Sequence, residues 1–202
     1  TAGWMTAAAL GKISKTTKLD VQLIESADIG TIGVGEATLT ALQMFNKLLG
    51  IDENTFMKAT KATFKMGIKF VDWDKIGNEY HHAFGRSGTF IGDAKFYQYW
   101  LKLNSLGKAQ KYENYTLNAL AAEKKRFMRA FDAGNSPLSG LDHGFHIDAS
   151  LYAKYLGTLS ENWGVVRTEG KVEQVKKDDK GFIKSLVLAD GSEHHADFFI
   201  DC

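Results

Sequence analysis

Residues 63–73 alternate: Phe64, Met66, Ile68 and Phe70 are apolar, and Lys65, Gly67 and Lys69 stand between them. A period of two predicts one strand with an apolar face and a polar face. On that pattern Lys65 and Lys69 point the same way. Gly67 leaves bare backbone between them, open to a ligand or to another chain segment. Taken alone, this is an ordinary solvated strand face with two surface lysines.

The pattern elsewhere alternates between helical and extended stretches. Residues 1–10, rich in Ala, predict a helix that packs closely on a sheet. Residues 19–25 predict a short apolar strand ending in Glu25. Helix, turn and strand with a terminal acid form the back half of a βαβ nucleotide-binding unit. Gly3 stands at the third glycine of G-x-G-x-x-G, and Glu25 follows at the distance of a ribose-binding acid. A helix followed by a strand ending in Glu is also common without any ligand. The loop that includes Gly33, Gly35 and Glu36 offers backbone that can approach a flat ligand. Residues 39–49 predict an amphipathic helix with Leu39, Leu42, Phe45 and Leu49 on its stripe, stopped by Gly50. A second helix is predicted over 53–62.

Past Trp73 the chain turns polar. The adjacent His81 and His82 diverge on a strand, and no third ligand follows at a zinc-like spacing, which leaves hydrogen bonding or plain surface. Helices are predicted over 97–106, with Tyr97, Trp100, Leu101 and Leu103 as core, and over 117–131, with Leu120, Phe127, Met128 and Phe131 inward. Asp148 is a good N-cap for a helix over 149–163. Strands follow from Gly164 and over 171–176, 181–189 and 194–201, joined by turns at 177–180 and at Asp190-Gly191.

Composition narrows the classes. Charged residues are 24% of 202 and the net charge is +1, so nothing argues for nucleic acid or a membrane surface. No run of about 18 apolar residues predicts a membrane-spanning helix. The single Cys202 makes no internal disulfide and fits a reducing cytoplasm. The first residues read as the middle of a helix start and the last as an uncovered apolar strand, so an internal fragment of a longer protein is expected.

Six motifs then occur in order: T-A-G-W-M at the start, V-G-E-A-T at 34–38, F-K-M-G-I-K-F-V-x-W at 64–73, Y-H-H-x-F-G at 80–85, F-H-I-D-A-x-L at 145–151 and F-F-I-D-C at the end. Together they resemble the flavin-dependent tryptophan halogenases over essentially the whole chain. The resemblance implies an α/β fold: an FAD-binding, two-dinucleotide-binding-domain flavoprotein (Rossmann-like βαβ) with a helical substrate-side module. It divides the chain into 1–40 (FAD-binding remnant and flavin strap), 41–147 (substrate side, with the lysine strand) and 148–202 (return to the FAD-binding part).

The resemblance implies FAD, used as FADH2, at Thr1, Ala2, Gly3, Glu25, Ser26, Ile29, Gly33, Gly35, Glu36 and Val172. Thr1 to Gly3 would meet the pyrophosphate, Glu25 the adenosine ribose, loop 33–38 the isoalloxazine, and Val172 the adenine. Lys65 matches the lysine that holds hypohalous acid, formed from O2 and chloride or bromide, beside an electron-rich ring. His82 and Phe84 match substrate-side residues, Phe84 stacking on an indole. No metal is implied. A separate flavin reductase, a cytoplasmic setting, secondary metabolite biosynthesis and a homodimer are further expectations. A flavin-dependent aromatic hydroxylase shares the fold and has no need of an amine away from the flavin. Thr40 departs from the proline usual after the V-G-E-A-T motif. The W-x-W-x-I-P signature and the acidic partner of the lysine would lie past Cys202, so these 202 residues alone are expected to be catalytically incomplete.

Overall fold

The computed structural model describes residues 1–29, 34–89 and 91–202. In chain order its first elements are α1 (Ala2–Ser14), β1 (Gln22–Glu25), β2 (Gly35–Ala37), α2 (Ala41–Leu49), α3 (Glu53–Thr60), β3 (Thr63–Lys65), β4 (Gly67–Val71) and β5 (Glu79–Ala83). Then come α4 (Phe96–Ser105), α5 (Leu117–Glu123), β6 (Gly144–Asp148), α6 (Ala149–Asn162), β7 (Val166–Glu169), β8 (Val172–Lys177), β9 (Ile183–Leu188) and β10 (Glu193–His195). The elements fall into two compact units. The first comprises Thr1–Gly35, Leu49–Lys61 and Asp148–Cys202, and the second Glu36–Leu48 and Ala62–Ile147.

In the first unit, α1 leads into β1 and α6 leads into β7. The two strands pair in parallel, Gln22 opposite Val166 and Glu25 opposite Glu169. Their helices pack on each other because small residues line the seam. A Cβ at Gly157 would lie 3.4 Å from the Trp4 ring, and one at Gly11 only 2.7 Å from Val165 Cγ2. Trp4, Ala7, Ala8, Tyr152 and Leu156 are buried there. Phe56 of α3 meets the Tyr152 ring edge-on at 5.4 Å. Each large apolar side chain so buried contributes about 1.5–3 kcal/mol.

Asp148 caps α6 as its sequence position predicts, accepting from the amides of Ser150 and Leu151. Asp52 caps α3 in the same way through Thr55 N. Strands β8, β9 and β10 form an antiparallel meander. Gly181 and Gly191, at φ +87° and +82°, supply left-handed turn positions at its two hairpins. The strand expected over 194–201 is shorter than its apolar run suggests. β10 stops at His195, and Phe198 beyond it is 80% exposed. An apolar run forms a strand only where a ladder partner exists.

The second unit corrects the central expectation. Residues 63–73 are not one strand but two, broken at Met66. β3 pairs antiparallel with β6, setting Lys65 opposite Gly144, whereas β4 pairs with β5. The Met66 carbonyl continues the β4–β5 register by one pair, accepting from Phe84 N at 2.8 Å. Gly67 takes the chain-segment alternative: a Cβ there would lie 2.6 Å from His82 O and 2.7 Å from Ala83 Cα.

Two expected aromatic cores are also absent. The predicted helix over 117–131 ends at Glu123, where Lys125 adopts φ +52° and Arg126 N bonds back to Ala121 O. The chain beyond it lays Phe127 on Phe64, ring centroids 3.8 Å apart and 16° from parallel. Phe127 remains 37% exposed, so it is the ring stacking itself that is set against helical propensity over the last turns. Leu120, Met128 and Phe131 stay exposed rather than inward. Helix α4 forms, but none of its residues is buried; Trp100 packs edge-on against Tyr112 and donates to Gln110 O. Leu42 and Leu49 of α2 are buried as predicted, while Leu39 precedes the helix and is exposed. Among the described residues no helix is long and apolar enough to cross a membrane.

Candidate active site

Lys65 is not a surface lysine. It is 7% exposed, and its Nζ donates to the Thr38 carbonyl at 3.0 Å and lies 5.3 Å from the centroid of the Phe84 ring. The local sequence makes this geometry. Thr38 is tied to β6 at both ends: its amide donates to Phe145 O at 2.8 Å, and its hydroxyl accepts from Phe145 N at 2.9 Å. Gly144, across the ladder from Lys65, leaves the room. A Cβ there would stand 2.7 Å from Thr38 O and 3.1 Å from the Phe84 ring. Below this layer Phe64, Phe127, His143 and Phe145 form an aromatic cluster with centroids 3.8–6.2 Å apart. An amine on a strand, clamped by a carbonyl and covered by a ring face, is a rigid mount for a reactive group. Among the described residues no carboxylate lies within ion-pair distance of it.

Lys69 goes elsewhere. Its ammonium pairs with Glu79 at 2.7 Å on the exposed side of the hairpin, and that partner holds its pKa above the ordinary value.

The two histidines diverge as strand neighbours must. His81 lines a cleft of about 300 Å³ together with Lys65, Arg126, Phe127 and His146. Burial pushes its pKa below the ordinary histidine value, Lys69 and His82 add to the push, and Glu123 and Glu113 oppose it. His82 lines a second cleft of about 530 Å³, with Phe84, Arg86 and Asp142. The structure thus brings Lys65 and Phe84 together and puts His82 and Phe84 on one cleft. Among the described residues no three His, Cys, Asp or Glu side chains are grouped to hold a metal.

Sequence reasoning missed the polar support of this site. Asn118 of α5, 1% exposed, donates from Nδ2 to Asp142 O and, at 3.4 Å, to Met66 O. Gln43 Nε2 donates to Asp142 Oδ1 at 2.8 Å and to His143 O. His143 N donates to the same Asp142 oxygen at 2.8 Å. These bonds fix the segment that reaches Gly144, opposite Lys65. The only signal was a polar residue inside the apolar run around Asn118, which by itself reads as a surface position.

The positions implied for FAD lie as follows. Thr1 precedes α1 and donates its hydroxyl to Ala149 O, and the first turn of α1 carries no acid. A Cβ at Gly3 would meet only ordinary contacts, Leu23 Cδ1 at 3.8 Å and Cys202 Cβ at 3.9 Å. Internal packing therefore does not require glycine there; a ligand approaching the backbone would. Glu25 ends β1 with a half-exposed carboxylate that accepts from Trp4 Nε1 at 3.1 Å and Arg167 Nε at 2.7 Å. Arg167 also reaches Glu169 at 2.6 Å, and these acids raise its pKa. Ser26 and Ile29 form the turn after β1. Gly170 N donates to Glu25 O at 2.9 Å, which brings the start of β8, with Val172, beside that strand end. Gly33 lies outside the described residues. Gly35 and Glu36 are exposed, and nothing would meet a Cβ at Gly35 within 4 Å. A helix start without acids, a glycine that packing leaves unexplained and an acid at a strand end fit the pyrophosphate and ribose of a dinucleotide.

The family model described as Tryptophan halogenase matches residues 1–202. The chain is 31% identical to 7-chloro-L-tryptophan 6-halogenase KtzR of Kutzneria sp. (strain 744), over 100% of the chain and 42% of that protein. It is 34% identical to tryptophan 7-halogenase RebH of Lentzea aerocolonigenes, over 100% of the chain and 40% of that protein. The structure superimposes on Xcc4156, a flavin-dependent halogenase from Xanthomonas campestris, with a TM-score of 0.88 and 44% identity, covering 100% of this chain and 40% of that one. The chain thus spans less than half the length of the relatives it matches, and its mixed α/β fold is that of flavin-dependent halogenases, with their Rossmann-like FAD-binding architecture.

Proposed function

We propose that this chain, which belongs to the tryptophan halogenase family, is the lysine-bearing part of an enzyme that chlorinates or brominates an indole-like aromatic. The observation that carries the reading is the placement of Lys65: buried, donating to Thr38 O at 3.0 Å, and 5.3 Å from the ring of Phe84, which lines the cleft with His82.

In this reading Thr1, Ala2 and Gly3 bind the FAD pyrophosphate through backbone amides, and Glu25 accepts from the adenosine ribose. Ser26, Ile29, Gly33, Gly35, Glu36 and Val172 complete the contacts to the flavin and adenine. FAD held there, as FADH2 from a separate reductase, would supply with O2 the two-electron oxidation of chloride or bromide to hypohalous acid. The chain's own residues do the rest. The Lys65 amine donates to the hypohalous oxygen and keeps the oxidant from diffusing to other targets. Phe84 stacks on the substrate ring, and His82 borders it. A ring carbon then gives an electron pair to the halogen. The carbon–halogen bond forms as the halogen–oxygen bond breaks, the oxygen leaves as water after taking a proton, and the ring loses its own proton.

The natural-length protein, given FAD, a flavin reductase, NADH, O2 and bromide, should convert tryptophan or indole to a product with the bromine isotope doublet. A product heavier by one oxygen, and indifferent to Lys65→Ala, would replace this reading with an aromatic hydroxylase.

A further inference from the structure

Resting on that reading of the second cleft as the substrate side, we propose that Arg86 selects substrates whose aromatic ring carries a carboxylate. The cleft's volume of about 530 Å³ sits within the roughly 300–1,000 Å³ of small-molecule sites. Phe84, itself largely buried, lines it. Two residues on, after Gly85 turns the chain at φ +82°, Arg86 lines the same cleft.

The arginine is built in at its base. Its amide donates to Gly140 O at 2.8 Å, and its stem runs along Gly140, where a Cβ would stand 3.0 Å from Arg86 Cβ and 3.9 Å from Cδ. Glycine at 140 thus gives the stem its track. The guanidinium is exposed, and among the described residues it enters no ion pair. The acid in the same cleft, Asp142, has Oδ1 taken by Gln43 Nε2 and His143 N. Ser139 is likewise engaged, its Oγ accepting from Ala133 N at 2.8 Å. Arg86 is therefore the permanently charged group of the cleft with its fork free. A planar fork of N–H donors matches a carboxylate in two parallel bonds. A ring beside Phe84 and a carboxylate on Arg86 would be held at two points, which fixes how the ring lies in this cleft.

The test compares indole-3-acetate with its neutral isostere indole-3-acetamide, by calorimetric binding and by kcat/KM for bromination, in the natural-length protein and in Arg86→Gln and Arg86→Lys. The wild type should bind the anion about tenfold or more tightly than the amide, the size of a charge-assisted hydrogen bond. Arg86→Gln should collapse the anion-to-amide ratio about tenfold, and Arg86→Lys should keep part of it. A wild type without anion preference, or an Arg86→Gln ratio within twofold of wild type, would overturn the proposal. Binding needs no turnover. Absence of any brominated indole would therefore count against the halogenase reading, while the anion preference would be read separately.

Discussion

The ammonium of Lys65 donates to the carbonyl of Thr38 at 3.0 Å, across 27 positions of sequence. That bond joins the end of the V-G-E-A-T loop to β3. The carbonyl fixes the direction in which Nζ points. Thr38 is held in turn by both backbone groups of Phe145. Aim is thus set by β6, not by the flexible stem of the lysine.

Gly144→Ala tests that arrangement. Its methyl would fall 2.7 Å from Thr38 O, and overpacking of this kind costs roughly 1–3 kcal/mol. Thr38 O moves away from Lys65. Bromination of indole by the natural-length protein should drop by more than the modest loss in thermal midpoint accounts for. Unchanged turnover would show that the clamp does not matter.

Asn118→Ala removes the buried amide that bridges Asp142 O and Met66 O. Met66 O keeps its bond from Phe84 N, so the loss is the donor to the half-buried Asp142 O, which costs about 1 kcal/mol. Urea unfolding should show that loss with little change in slope, and kcat should fall as the segment before Gly144 loosens.

These two sites show what was and was not legible. The alternation over 63–73 located Lys65 and its strand, and the motif resemblance singled it out from Lys69. The break at Met66 was not legible, because a two-residue period does not encode which neighbour each half pairs with. The aromatic stripe over 117–131 read as helix, yet Phe127 leaves that helix to stack on Phe64, a tertiary contact that local periodicity cannot carry. Local chemistry was legible where it acts over a few residues, as with Asp148 on the amides of α6 and Gly191 at its hairpin turn; Gly181, expected to open a strand, belongs to the turn before it. Asn118 and Gln43 were invisible because their partners in the 142–143 segment lie 24 to 100 positions away.

Acid should loosen the β8–β9–β10 meander through Glu193. Lys176 at 2.7 Å, and then the buried Ser185 hydroxyl, hold its carboxylate down to about 2 from an ordinary 4.5. The folded pKa lies below the unfolded one. This contribution is therefore complete above about 4.5 and is lost as pH falls toward 2. Carbon-detected NMR titration should place the Glu193 midpoint well under that of an exposed glutamate, and Glu193→Gln should flatten the stability–pH curve across this window. A midpoint near 4.5 would contradict the assignment.

In the proposed reaction Lys65 retains the oxidant beside the ring. The variant to make is Lys65→Met in the natural-length protein, run with FAD, reductase, NADH, O2, bromide and indole, with a soluble scavenger of hypobromous acid in the medium. NADH consumption should continue near the wild-type rate, indole bromination should fall to background, and the scavenger should be brominated instead. Indole brominated at near the wild-type rate, with the scavenger untouched, would contradict the account.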